Sequence, residues 1–161
     1  MRVQAAEVTL RLITAETVRQ ITGLSVSESQ KGFVASNAVS LAQALFAPTA
    51  WYRAIYFAEE PAGFVMLGDE SLLSPQPEQP KVSVWRFMID AKFQRQGIGR
   101  VALLQVIEHV RSKGLFKTLE LSYVPGPGCP EPFYLSLGFS HTGRIEGNEV
   151  VLEVALPESA A

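Results

Sequence analysis

The sequence predicts an α/β fold built on one mixed sheet with helices on both faces. Three observations predict it. Apolar residues alternate with polar ones over several short runs, two long stretches space them at helical intervals, and Gly, Pro and Asn punctuate the joins. Read in order, the elements are strand, helices, three strands, helix, strand, helix, two strands. That order places all strands in one sheet with helices packed on either side.

Val8 to Leu12 alternates as a short strand, and "TAETVRQITGL" has helical spacing in Val18, Ile21 and Leu24. A second helical region follows, with Phe33, Val34, Leu41, Ala42, Ala44 and Leu45 as its apolar positions and Asn37 or Ser40 as N-cap. "WYRAIYFAEEPAGFVMLGDE" reads as a hairpin joined at Glu59, Glu60 and Pro61. The proline-rich "SLLSPQPEQP" must be a surface loop, and a strand runs from Lys81 to about Asp90. Ile98 to Lys113 keeps helical spacing at positions 103, 106, 107 and 110, with Gly114 as the C-terminal stop. "KTLELSYV" alternates, placing Leu119, Leu121 and Tyr123 on one face and Thr118, Glu120 and Ser122 on the other. A short helix, Pro132 to Leu137, precedes two strands around a turn at Gly147 and Asn148.

Composition narrows the function. A chain of 161 residues is expected to be one domain, 1–161, with a core of its own. A net charge of -2 gives no basic footprint for nucleic acid, though a local basic cluster can still bind a small anion. The single cysteine, Cys129, leaves no intramolecular disulfide or cysteine-based metal cluster, and no metal-ligand spacing occurs. The N-terminus lacks the apolar core of a signal peptide and no window is apolar enough to span a membrane, so a cytoplasmic setting without membrane contact is expected.

Gly97-Ile98-Gly99 marks where a strand hands over to a long helix. The first turn of that helix presents backbone N–H groups without intrahelical acceptors, and glycine lets an anion approach them closely while Arg95 and Arg100 add charge. A pyrophosphate fits best. "GIGRVA" also satisfies the dinucleotide fingerprint, with Glu120 about 20 residues on. That reading fails on chain order, because three strands and two helices precede the strand leading into it and about 60 residues follow, too few for a second mononucleotide half. A P-loop fails because no G-x-x-x-x-G-K-[ST] occurs.

Gln94-x-x-Gly97-x-Gly99 between strand and helix resembles the coenzyme-A signature of the GNAT superfamily of N-acetyltransferases, and "EPFYLSLGF" resembles its second hallmark. "FVASNAVSLAQA", "RAIYFAEEPAGFVML", "WRFMIDAKFQRQGIGRVALLQVI" and "LSYVPGPGCPEPFYLSLGF" together resemble the bacterial spermine/spermidine (diamine) acetyltransferases. The resemblance covers essentially the whole chain. It implies a mostly antiparallel sheet of about seven strands, acetyl-CoA as co-substrate, a small-molecule primary amine as acceptor, direct transfer in a ternary complex, and a homodimer as the common assembly.

The resemblance also implies site residues. Gln94, Arg95, Gln96, Gly97, Ile98, Gly99 and Arg100 would hold the pyrophosphate through backbone amides. Phe87, Met88 and Ile89 would pair the pantetheine arm in a V-shaped opening between the strands ending at Asp90 and Val124, with the Met88 N–H polarising the thioester carbonyl. Tyr134 would protonate the departing thiolate, and Phe133 and Leu137 would pack near the cofactor. Many relatives carry an asparagine where this chain has "PGPGCPEP", a departure that bears on the cofactor contact of that loop.

The groups set the chemistry. An alkylamine has pKa near ~10.4 and must lose a proton before it attacks, to a base such as Glu70 or to a water chain ending on a backbone carbonyl. A polyamine needs carboxylates spaced along a groove. Of Glu28, Glu59, Glu60, Asp69 and Glu70, the pair Glu28 and Glu70 is expected to border the acceptor cleft. Cys129 has no histidine near it in sequence, so an acetyl-cysteine intermediate is not expected. His109 and His141 read as a helix-surface and a strand-start residue. Another small amine, an aminoglycoside, a peptide N-terminus, or a CoA-binding regulatory module without turnover are the alternatives.

Overall fold

The structure is a computed structural model and describes residues 2–157; Met1 and 158–161, included in the expected domain, lie outside the described residues. Seven strands form one sheet: β1 (Val8–Arg11), β2 (Ala50–Phe57), β3 (Glu60–Asp69), β4 (Val82–Ile89), β5 (Thr118–Tyr123), β6 (Ser140–Glu146) and β7 (Glu149–Ala155), in the order β1-β2-β3-β4-β5-β7-β6. Every pairing is antiparallel except β4 with β5. Four α-helices accompany it: α1 (Val18–Thr22), α2 (Asn37–Ala44), α3 (Ile98–Ser112) and α4 (Glu131–Ser136).

The predicted periodicities explain the layers. In α3 the residues Ile98, Ala102, Leu103, Val106 and Val110 are buried, a helical stripe that packs on Val65, Leu67, Val82, Val84, Leu119, Leu121 and Leu152. Full burial of a side chain such as Leu103 contributes about 1.5–3 kcal/mol. The opposite face of β2 to β4 supplies Ala54, Phe64, Met66 and Met88, which pack with Ile21 of α1 and Leu41 of α2. Covered on both faces, β3 is buried continuously from Ala62 to Leu67, so it lacks alternation.

Some boundaries differ from expectation. The β2–β3 turn falls at Ala58 and Glu59, with Ala58 at φ 50, and Glu60 and Pro61 already belong to β3. Pro61 stands opposite Tyr56 at a register shift, where a missing N–H breaks no ladder bond. The cap of α2 is Ser36, whose hydroxyl accepts from the Val39 N–H at 3.2 Å, rather than Asn37 or Ser40. Asn37 turns inward instead and donates to the Ile21 carbonyl and to the Met88 sulfur. Phe33 and Val34 precede that helix, and Leu45 points to solvent.

The feature that makes a site is in β4. Its register with β3 runs Met66↔Arg86 and then Leu67↔Val84, leaving Trp85 as an extra residue. A bulge of this kind bends and twists its strand. The parallel pairing with β5 covers only Ser83↔Glu120 and Val84↔Leu121. Beyond that point the two strands diverge and a gap opens between them.

Candidate active site between diverging strands

Along an antiparallel pair, residues alternate between exchanging both backbone bonds with their partner and exchanging none. The Asp90 N–H donates to the Ala62 carbonyl at 2.8 Å, and the register continues as Gly63↔Ile89 and Phe64↔Met88. Met88 therefore bonds to β3, while the N–H and C=O of Phe87 and Ile89 point into the gap. Two contacts agree: a Cβ on Gly63 would collide with the Met88 carbonyl oxygen, and the Gln94 side chain reaches the Ile89 carbonyl at 2.8 Å. The N–H expected of Met88 is corrected to those of Phe87 and Ile89, because strand alternation turns Met88 away from the opening.

The gap runs into a cleft of about 950 Å³. At one end lies the start of α3. Gly97 sits at φ 88 with nothing within 4 Å of a Cβ placed on it, and Arg95 shares the left-handed region at φ 63. Gly99 differs: its added Cβ would stand 3.3 Å from Ile89 Cγ1 and 3.6 Å from Phe133 Cζ, so its bareness lets α3 press against β4. Gln94, Arg95, Gly97, Ile98, Gly99 and Arg100 all line the cleft, but the Gln96 side chain folds back towards the Lys92 carbonyl. The Arg100 guanidinium reaches the Ser136 carbonyl at 3.4 Å, linking the two helix ends.

A roof closes over the strand. Asp90 accepts from the Ser25 N–H at 2.8 Å and Ala91 donates to the Ser25 carbonyl, pinning the segment after α1 to the end of β4. Gln94 also donates to Gln30 at 2.7 Å, and Val26, Ser27, Phe33 and Val34 line the cleft from that side. Sequence reading missed this segment, which carries no periodic signal.

The far wall is α4 and the loop before it. Phe133 stacks on Phe87 with centroids 6.2 Å apart, and Tyr134 packs between Phe133 and Phe139. Tyr134 is 8% exposed, its hydroxyl has no hydrogen-bond partner among the described residues, and it lines the cleft. Burial pushes its phenol up to about 12. Leu137 lies in the core instead of the cleft wall. Glu131 anchors the helix by accepting from Tyr123 at 2.5 Å, with His141 3.4 Å away. Gly128, Cys129 and Pro130 line the cleft, so the "PGPGCPEP" loop does border it.

A second cavity of about 460 Å³ is lined by Val84 and Trp85 on β4 and by Leu121 and Ser122 on β5. Glu70, Glu120 and Glu146 line it, with Lys81. Arg144 bridges Glu120 and Glu146. The alternation that buries Leu119 and Leu121 under α3 turns Glu120 to the other face, so Glu120 was findable from the pattern of β5. Glu28 is elsewhere, paired with Lys31 beside the roof; the expected pairing of Glu28 with Glu70 is not formed. Glu59 pairs with Arg11, Glu60 faces Lys92, and Asp69 is buried against Lys113 at 2.6 Å.

Residues 28–139 match the model of the acetyltransferase (GNAT) family. The chain belongs to that family. As a GNAT protein it is an acetyl-CoA-dependent N-acetyltransferase. Among curated relatives, a spermine/spermidine N(1)-acetyltransferase of Bacillus subtilis is 26% identical over 147 residues, covering 88% of this chain and 93% of its own. The GNAT fold recurs in a PaiA N-acetyltransferase from Thermoplasma acidophilum solved with coenzyme A, at 14% identity, TM-score 0.66, and 92% and 98% of the two chains. It recurs also in the ribosomal-protein-S18-alanine N-acetyltransferase of Escherichia coli, at 15% identity, TM-score 0.65, and 96% of each chain.

The cleft residues suit the co-substrate of a GNAT enzyme on their own chemistry. Free N–H groups at the mouth of α3, with arginines on either side, match a pyrophosphate. The N–H groups of Phe87 and Ile89, which face away from β3, match the carbonyls of a pantetheine arm, and the Tyr134 side chain in the cleft wall has no hydrogen-bond partner among the described residues. Among the described residues no cluster of His, Cys, Asp and Glu could hold a metal, and no helix is long and apolar enough to cross a membrane.

Proposed function

We propose that the protein acetylates a polyamine such as spermidine or spermine. The observation that carries this reading is the cavity lined by residues of β4 and β5, the two strands that flank the gap. Its lining holds three carboxylates, Glu70, Glu120 and Glu146, beside Lys81, and an ammonium group of the substrate would displace the Arg144 that bridges two of them. The Bacillus subtilis relative's name agrees with it.

Acetyl-CoA supplies an acetyl thioester to the gap. The Gly97–Arg100 turn orients it by its phosphates, and Phe87 and Ile89 hold the arm by backbone bonds. Phe87 is nearer the bulge than Ile89, so its N–H is the donor placed to stabilise negative charge on the carbonyl oxygen, a role worth roughly 3 to 4 kcal/mol on oxyanion-hole precedent. Tyr134 stays neutral at working pH and offers its proton to the departing sulfur. Its pKa of about 12 lies above the ~8.5 of a free thiol, so the transfer relies on proximity and on exclusion of water.

Glu70 is an anchor in this scheme and not the base. Its Oε1 accepts from the Lys81 N–H at 2.9 Å, and the strand from Lys81 to Phe87, at about 3.3 Å per residue, spans roughly 20 Å. Of the polyamines only the longest, spermine, nears that span, so Glu70 would hold a distal ammonium of spermine while its reacting amine waits at the gap.

The test is release of CoA thiol from acetyl-CoA with spermine, spermidine, putrescine, an aminoglycoside panel and a neutral peptide N-terminus. Turnover fastest with the long polyamines supports the assignment. Turnover confined to aminoglycosides or peptide removes it, and tight acetyl-CoA binding without release by any amine removes turnover altogether.

A further inference from the structure

We propose that Gln30, in the roof, is a co-substrate-binding residue: its side-chain amide donates to a carbonyl oxygen of the pantetheine arm, and Gln94 aims it. The orientation follows from a chain of bonds that has one polarity. A backbone carbonyl only accepts, so the atom that Gln94 presents to the Ile89 carbonyl at 2.8 Å is its Nε2. The same Nε2 donates to Gln30 at 2.7 Å, which must therefore present its Oε1. Both hydrogens of the Gln94 amide are then used, and the Gln30 Nε2 is turned away from Gln94. That Nε2 donates to nothing among the described residues, yet it is not sealed in, for the buried side-chain atoms without partners there are Arg86 Nε and His109 Nε2. Gln30 lines the larger cleft, so its free donor is available to what occupies that cleft.

The roof holds this donor in place before a ligand arrives. Ser25 is tied to Asp90 and Ala91, and the Gln30 N–H donates to the Ser27 carbonyl at 2.9 Å, closing the turn Glu28–Gln30. A donor ordered in advance costs less to immobilise on binding. The bond through Gln94 sets Gln30 against the Ile89 end of β4, the stretch assigned to the arm, whereas the pyrophosphate is assigned to the turn from Gly97 to Arg100. Phe87 and Ile89 offer backbone N–H groups from the strand and Gln30 an amide from the roof, so the arm's carbonyls meet donors on two sides. Gln94 acts only by positioning: it fixes which end of the Gln30 amide is free.

This inference rests on the assignment of the cleft to acetyl-CoA, and the experiment separates the two. Calorimetry compares the binding of CoA with that of adenosine 3′-phosphate 5′-diphosphate, which keeps the pyrophosphate and lacks the arm. The informative variant is Gln30→Glu, whose carboxylate still accepts from Gln94 and so keeps the roof tied, but has no hydrogen to donate. The expected result is CoA binding weakened about 3- to 10-fold, the worth of one hydrogen bond, beyond any change in the binding of the armless nucleotide. Gln94→Leu is expected to weaken CoA binding to a similar extent, and adding Gln30→Glu to it to cost little more, because the two residues act as one unit. CoA binding unchanged in Gln30→Glu, or both ligands weakened equally, overturns the Gln30 role, and a full second loss in the double variant overturns the positioning by Gln94. Wild-type protein that binds neither ligand, or Gly97→Ala protein that binds both unchanged, sinks the cleft assignment itself; loss in Gly97→Ala without loss in Gln30→Glu sinks only the inference about Gln30.

Discussion

Tyr134 shows how much one side chain's surroundings add to its identity. Packed between two phenylalanines, it is held protonated by burial, its pKa pushed up to about 12, so it keeps a proton to give at working pH. Tyr134→Phe is expected to lower kcat by roughly 10²-fold or more while KM for acetyl-CoA barely moves, because the ring's packing survives. Undiminished turnover across pH would remove the proton-donor role. Gly97 makes a different point. At φ 88 with open space around it, Gly97→Ala meets strain but no clash, so about 1–2 kcal/mol of stability is expected to go, read as a fall in melting temperature, together with weaker acetyl-CoA binding. Gly97, Gly99 and Tyr134 were legible because their residue type is itself the signal. Met88 was expected to face the gap where Phe87 and Ile89 do, because which backbone groups face it depends on register with β3, and register is set by a partner strand and not by local sequence.

At the scale of elements, periodicity together with turn residues located the seven strands and four α-helices, while the short 3-10 turns and the joins were missed. Ser36 caps α2 because capping depends on which hydroxyl meets a free N–H, while Asn37 is drawn inward by the Ile21 carbonyl. The bulge at Trp85 left no mark in composition, yet it opens the site. Helix α3 docks on β2 partly through His109, which stacks on Trp51 at 4.5 Å with its Nε2 buried and unpartnered; it is half-buried rather than the surface residue expected. Burial, then Lys113 and Arg53, hold its pKa below the ordinary value, against the opposing pull of Asp69. The unfolded chain's His109 takes up a proton below about 6.5 while the folded one does not, so the unfolded state binds more protons there. Stability is expected to fall as pH drops through about 6.5 and to go on falling until the depressed folded value is reached. Urea titrations of wild type and His109→Phe check this: the variant should lack that part of the slope. An identical slope in both would show that His109 stays neutral for no energetic reason.

The whole molecule sets two cavities along β4, one lined by Val82 to Trp85 and the other by Phe87 to Ile89, an arrangement that no single motif encodes. The sequence singled out the glycines and tyrosine that line the larger cleft because they sit in recognisable strings. It did not place the acceptor half, since Glu70, Glu120 and Glu146 come from three distant segments and only the sheet order β3-β4-β5-β7-β6 brings them together. If Glu70 anchors a distal ammonium, Glu70→Gln should raise KM for spermine about 2- to 5-fold, the worth of one solvated ion pair, and leave KM for the shorter putrescine unchanged. Equal effects on both amines would mean that Glu70 is not at the far end of the groove. Separate cavities for the two substrates would allow both to be bound at once. The most direct measurement is therefore the initial rate of CoA thiol release with spermidine varied at several fixed acetyl-CoA concentrations. Turnover with intersecting double-reciprocal lines is the predicted result; parallel lines, or no turnover with any polyamine, would contradict direct transfer across the gap.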